Sequence, residues 1–144
     1  MAAPTYADTS FLVSLYVQDA HSERAAAVAA KLMPIFFTPL VEHELRNAIR
    51  LCVFRCQITS GQREKSLYEV EGDAAEGFLY PVPLDWPKAF KHTEVLGRSF
   101  TESIGARGMD ILHVGSALAL RAKLFATFDD RQASLAKSAG LELI

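Results

Sequence analysis

Basic charge is not in excess in this chain: 15 Lys and Arg stand against 17 Asp and Glu, a formal net charge of −2. That balance gives no global attraction to nucleic acid or to an acidic membrane, so any such partner has to be argued from local groups. Cysteine is scarce. Cys52 and Cys56 stand one helical turn apart, a spacing that fits disulfide geometry poorly. With no second Cys pair and no His-x-x-x-His there is no zinc pattern, and both thiols are expected to be reduced core residues. Long apolar runs are missing too. The most apolar stretch, Ile111 to Leu120, is about half a membrane span and is interrupted by His113 and Ser116. Met1 to Asp8 lacks the basic and apolar regions of a secretory signal. A cytoplasmic location without membrane contact is therefore expected. Nor is there an internal repeat, a low-complexity tract or a long linker, which makes one domain over residues 1–144 the economical reading.

What the chain has is a foldable mixture. Half of its 144 residues are hydrophobic and 22% are charged, the balance of one ordinary globular domain. Thr5 to Ala7 favours a strand, and Thr9 to Val17 carries Phe11, Leu12, Leu15 and Tyr16 at helical spacing. Ser22 is suited to cap a second, Ala-rich helix that stops at Met33-Pro34. Ile35 to Thr38 is β-favouring, and Pro39 suits the first turn of a helix to about Cys56, with Val41, Leu45, Ala48, Cys52 and Cys56 along one stripe. A helix from Thr59 or Ser60 to about Gly77 follows, then an extended Leu79 to Leu84 whose two prolines indicate a sheet edge. Helical patterning covers Asp85 to Ile104 and Asp110 to Ala122. A strand at Leu124 to Phe128, a helix at Arg131 to Ala139 and a last strand at Leu141 to Ile144 complete the chain.

Strands alternating with helices imply an α/β fold, a mostly parallel sheet with helices on both faces. The helix around residues 111–120 is apolar nearly all round, so it belongs in the middle of the molecule. Open parallel sheets bind ligands at the carboxyl ends of their strands. Asp8 and Asp129 each follow a predicted strand, and Asp110 follows a glycine-broken loop and opens the apolar helix. Each of the three, taken alone, reads equally well as a helix cap. Glu44 lies on the helix after the second strand, where helical projection does not separate it from Glu42. If such acids converge, they need a counter-charge. Two anions about 5 Å apart repel by roughly 3 kcal/mol at an effective dielectric near 20. An oxygen-only site of carboxylates and water suits Mg²⁺ or Mn²⁺ rather than zinc, and such an ion activates water against a phosphodiester. By the same logic, removing one acid is expected to relieve repulsion and to spare the fold.

Tyr6-Ala-Asp-Thr-Ser10-Phe-Leu resembles the first motif of the PIN-domain nucleases, a strand with a leading Asp and a hydroxyl residue two places on. Thr38-Pro-Leu-Val-Glu-His-Glu44-Leu-Arg-Asn-Ala48 resembles their second motif and selects Glu44 over Glu42. Gly108-Met-Asp110-Ile-Leu-His113-Val-Gly-Ser-Ala-Leu resembles the third. Ala126-Thr-Phe-Asp129-Asp-Arg-Gln-Ala-Ser-Leu-Ala136, with Gly140-Leu, resembles the fourth and selects Asp129 over Asp130. The four occur in the family's order across Tyr6 to Leu141, and the free-standing size is similar to the VapC-type toxins of toxin–antitoxin pairs.

The resemblance implies a five-stranded parallel sheet, a divalent ion among Asp8, Glu44, Asp110 and Asp129, and endonucleolytic cleavage of RNA. It also implies a homodimer and an antitoxin that occludes the site. Asp8 and Asp110 are then direct ligands, Glu44 and Asp129 complete the site, and Ser10 holds a carboxylate or a water. His113, one turn beyond Asp110, is left out of the metal set as a packed histidine. Arg46, Arg50 and Arg55, with Arg98 and Arg107, are candidate phosphate contacts. Phe100 and Tyr68 are candidates for base stacking, with core or dimer packing as the alternative. Two other readings stand beside this one. The first is a PIN fold kept as a binding scaffold without catalysis. The second is a haloacid-dehalogenase-like phosphatase, which requires an acid where this chain has Ser10.

Overall fold

The computed structural model of the chain describes residues 5–32 and 34–144. Among these, five strands alternate with helices: β1 (Thr5–Ala7), β2 (Ile35–Phe37), β3 (Leu79–Pro81), β4 (Leu124–Ala126) and β5 (Glu142–Leu143). The helices are α1 (Thr9–Tyr16), α2 (Ser22–Ala29), α3 (Pro39–Phe54), α4 (Ser60–Glu76), α5 (Trp86–Ile104), α6 (Gly108–Ala119) and α7 (Asp130–Ser138). The sheet order is β3-β2-β1-β4-β5, and every pairing is parallel. From β1 the chain moves outward through β2 to β3, then crosses to the far side of β1 for β4 and β5. Strand order therefore reverses between β1 and β4, which opens a crevice at their carboxyl ends.

Thr5, Tyr6 and Ala7 are all fully buried although successive side chains point to opposite faces, so β1 is covered on both sides. Tyr6 stacks on Phe125 of β4 at 5.5 Å between ring centroids, which ties the two central strands together. Pro81 sits on the edge strand β3, where its missing N–H interrupts no ladder. As its composition requires, α6 is the most enclosed helix, with Ile111, His113, Val114, Gly115, Ser116 and Ala117 buried. Gly115 permits this: a Cβ there would lie 3.0 Å from both the Ala89 carbonyl oxygen and the Thr93 nitrogen of α5.

Several local expectations are corrected. The α3 stripe is Val41, Leu45, Ile49 and Cys52, and the helix ends at Phe54. Cys56 lies beyond it at φ 57°, exposed to solvent, so only Cys52 is a buried thiol, although both are free. The expected stripe steps by three from Leu45 to Ala48, whereas the buried face steps by four to Ile49 and returns at Cys52, and the chain leaves the helix before reaching Cys56. Ser22 does not cap α2 by its side chain; its hydroxyl donates to the Val17 carbonyl and accepts from the Asp19 N–H. α2 ends at Ala29, ahead of Met33-Pro34, of which Met33 lies outside the described residues. α6 begins at Gly108, so Asp110 stands inside its first turn rather than at its start. No helix among the described residues is long and apolar enough to cross a membrane.

Candidate active site

Asp8 is placed by β1 and held by its hydrogen bonds. Its N–H extends the ladder to the Ala126 carbonyl at 3.1 Å, and its carboxylate caps α1 by accepting from the Phe11 N–H at 3.1 Å. The Ser10 hydroxyl donates to the same oxygen at 2.7 Å, and the Thr127 hydroxyl donates to the other at 2.5 Å. Burial raises the proton affinity of this carboxyl, and those hydrogen bonds with the nearby His113 only partly offset the rise. Asp8 is thus an enclosed anion, 5% exposed, without a cationic hydrogen-bond partner.

Glu44 reaches the same crevice from the second turn of α3. Burial alone would lift its pKa, but the hydrogen bond and charge of His113, then the Thr9 hydroxyl and His43, hold it below the ordinary range. His113 Nε2 pairs directly with Glu44 Oε2, while Nδ1 meets the Tyr6 hydroxyl at 2.7 Å. Burial, followed by the negative charges of Glu44 and Asp8, pushes the Tyr6 phenol well above its usual range, so it keeps its proton. With its proton on Nε2 the ring donates to Glu44 and accepts from Tyr6, and when doubly protonated it donates to both, so both ring nitrogens are satisfied in either state. His113, which sequence reasoning set aside as packed, is packed and also fixes an acid of the site.

Arg107 organises the remaining two acids. Asp110 accepts from the Arg107 N–H at 3.1 Å and from its Nε at 3.2 Å. The same guanidinium lies 3.9 Å from Asp129. Asp129 caps α7 through the Gln132 N–H at 2.9 Å, and its own N–H donates to Thr127 Oγ1 at 3.0 Å. Asp130, by contrast, is exposed and does not line this pocket.

Asp8, Glu44, Asp110 and Asp129, from four separate chain segments, line one cavity of about 600 Å³ together with Ser10, Arg107, His113 and Gln132. Apart from His113 the acceptors are oxygen, the donor set of Mg²⁺ or Mn²⁺. Gln132 is 1% exposed, and its side-chain carbonyl has no hydrogen-bond partner, so a buried acceptor beside the acids is left unsatisfied. Among the described residues no three His, Cys, Asp or Glu side chains stand close enough to hold an ion as they are placed. Each acid has instead found a local partner: hydroxyls for Asp8, His113 for Glu44 and Arg107 for the other two. That is the other solution to crowded anions. The donor chemistry fits a hard divalent ion, which would have to win Asp110 from Arg107 and Glu44 from His113.

Of the candidate arginines, Arg107 alone lines the cavity. Arg46 pairs with Glu42 at 3.0 Å and Glu71 at 3.5 Å, away from it, and Arg50 is exposed on α3 outside its lining. Arg98 pairs with Glu94 at 2.9 Å, and Tyr68 is exposed on α4. Tyr6, Thr9, Thr127 and Gln132 were missed by sequence reasoning. Thr127 alone carried a signal, as a hydroxyl residue at the end of a predicted strand. The position that a phosphatase of the dehalogenase type needs as an acid is Ser10, already bonded to Asp8.

Residues 5–138 match the family of the PIN domain. No curated protein matches the chain. Among solved structures, FitAcB from Neisseria gonorrhoeae is similar at 16% identity and a TM-score of 0.68, covering 97% of this chain and 96% of that one. VapBC2 from Rickettsia felis, solved bound to a DNA fragment from its promoter, gives 16% identity, a TM-score of 0.65 and the same coverage of 97% and 96%. VapC20 from Mycobacterium tuberculosis, a toxin that cleaves the sarcin–ricin loop, gives 18% identity, a TM-score of 0.62 and coverage of 90% and 94%.

Proposed function

This chain belongs to the PIN-domain family, and we propose that it is a divalent-metal-dependent endoribonuclease acting as the toxin of a VapBC-like toxin–antitoxin pair. One observation carries the reading. Four carboxylates from four segments line a single pocket at the point where the order of the parallel strands reverses. Asp8 and Asp110 are the direct ligands in this reading, with Glu44 and Asp129 completing the set. A Mg²⁺ or Mn²⁺ ion bound there supplies an activated water and neutralises charge that develops on a phosphodiester.

The chain's own residues do the rest. Ser10 and Thr127 aim the two oxygens of Asp8 and keep it from turning toward solvent. His113, braced by Tyr6, orients Glu44. Arg107 is 68% exposed at its side chain, so it is free to leave Asp110 and Asp129 for a substrate phosphate when a cation takes over the acids. In this reading RNA is the substrate, a cognate antitoxin and a second copy of the chain are the protein partners, and the cytoplasm is the compartment. The sarcin–ricin loop cut by VapC20 makes a structured ribosomal RNA loop one substrate class to test.

A binding scaffold without catalysis is the second reading, favoured by the absence of three closely placed ligands among the described residues. Antitoxin-free protein should cut RNA with Mg²⁺ or Mn²⁺, be inactive in EDTA, and lose cutting in Asp8→Ala and Asp110→Ala. Full activity in both variants would overturn the site assignment. Absence of cutting on any RNA, together with absence of Mn²⁺ binding, would favour the scaffold.

A further inference from the structure

Beside the acidic pocket lies a column of rings that the cleavage reading does not use. Phe128 stacks on buried Phe11 at 5.4 Å between centroids and an interplanar angle of 22°. His21 stacks on Phe128 at 4.5 Å and 12°. Phe11 is buried and His21 is exposed, so His21 is the outer member of the three rings. The Arg24 guanidinium lies 5.9 Å from the Phe128 centroid. His21, Arg24 and Phe128 line a second cavity of about 430 Å³, which shares Asp129 with the acidic pocket.

The column is held in register with the acids. Phe128 donates its N–H to Ser10 Oγ at 3.1 Å, and its neighbours Thr127 and Asp129 belong to the acidic site itself. On the other side the His21 N–H donates to Asp19 Oδ1 at 2.8 Å, and Ser14 donates to the second Asp19 oxygen at 2.8 Å. The ring's backbone is therefore fixed by bonds that its side chain does not make.

We propose that His21, backed by Phe128 and flanked by Arg24, is a stacking platform for a base of single-stranded RNA next to the bond that is cut. An aromatic face with an adjacent guanidinium is how unpaired bases and their phosphates are held without sequence preference. Asp130 also lines this cavity and repels phosphate, so the backbone runs along the Arg24 side. The inference rests on RNA being the substrate, but its test does not depend on cutting.

The probe is a single-stranded RNA carrying 2-aminopurine, titrated by fluorescence in EDTA and with Ca²⁺ in place of Mg²⁺, its integrity checked on a gel. His21→Ala should weaken binding by roughly five- to a hundredfold and reduce the quenching of the probe. His21→Tyr should retain both, and Arg24→Ala should weaken binding and make it less salt-dependent. Unfolding midpoints matched to wild type certify each variant. Equal affinity in wild type and His21→Ala, equal loss in His21→Ala and His21→Tyr, or no RNA binding by wild type overturns the platform. So does an effect of His21→Ala confined to binding of an oligoarginine peptide, which would assign the rings to a protein partner. A protein that never cuts RNA but loses RNA binding in His21→Ala and keeps it in His21→Tyr would leave the platform standing and remove the nuclease reading.

Discussion

The Asp8 carboxylate accepts hydrogen bonds from a backbone N–H and two hydroxyls, and burial still raises its affinity for a proton. Its folded pKa lies above its unfolded one, so between the two the native state binds more protons, and stability falls as pH rises through that window. Asp8→Asn keeps the shape and the cap without the charge. It should be at least as stable as cation-free wild type at neutral pH, with a flatter acid dependence, and still fail to cut RNA. Asp8→Ala differs. The expectation that any lost acid relieves repulsion meets the N-cap bond, whose removal costs about 0.5–2 kcal/mol, so this variant should be the less stable of the two in urea unfolding. Gln132 tests the same pocket from the neutral side. Its unpartnered carbonyl carries a desolvation penalty of roughly 1–3 kcal/mol, and Gln132→Met should recover part of it. A higher midpoint with slower cutting would place that oxygen in the site. A higher midpoint with unchanged cutting would make it only a buried defect.

Among the elements, α6 shows how closely backbone approach is set. Ala normally improves a helix over Gly by about 1 kcal/mol, but at Gly115 the added methyl meets backbone of α5 on two sides. Gly115→Ala should therefore lose about 1–3 kcal/mol, and a gain in thermal midpoint would show that the α5–α6 contact is looser than the geometry states. The joint between α1 and α4 is polar instead. Tyr16 donates to Asp73 at 2.6 Å, and burial first, then that bond and the charges of Asp73 and Glu69, drive the phenol far above its ordinary range. Above about pH 10 the unfolded chain releases this proton and the folded chain does not, so stability declines as pH rises. Tyr16→Phe should lose about 1 kcal/mol near neutral pH and decline less steeply in alkali. These elements were largely legible. Helical spacing, β-favouring runs, Pro81 at an edge and hydroxyl or acidic caps each act within a few residues. What escaped was tertiary. Neither the Tyr6–His113–Glu44 chain nor the Thr127 bond to Asp8 follows from local spacing, because they join residues 107, 69 and 119 positions apart. Glu44 itself could not be told from Glu42 until the family motif selected it, and Arg46 was offered to phosphate while its neighbour Glu42 already held it.

For the molecule as a whole, the proposed nuclease reading requires a slightly acidic chain to neutralise its crevice before a phosphodiester can enter. Without an ion Arg107 answers Asp110 and Asp129 and His113 holds Glu44, which leaves Asp8 to two hydroxyls and a backbone N–H. A bound divalent ion should therefore act on folding as well as on chemistry. Binding to the native state alone stabilises by RT ln(1 + [L]/Kd), about 2.7 kcal/mol at a hundredfold excess over Kd. Mn²⁺ should raise the thermal midpoint of wild type in a saturable way, and EDTA should reverse the rise. Asp8→Asn and Asp110→Asn should each abolish it, whereas Glu42→Gln, which removes an acid outside the pocket, should not. If all four proteins shift equally, the ion is meeting general surface charge and the four acids are not its seat. If wild type shifts and Asp110→Asn still shifts fully, Arg107 has kept Asp110 and the ion rests on the acids nearer β1. Either result is read without RNA, so the metal site can be judged before any substrate is known.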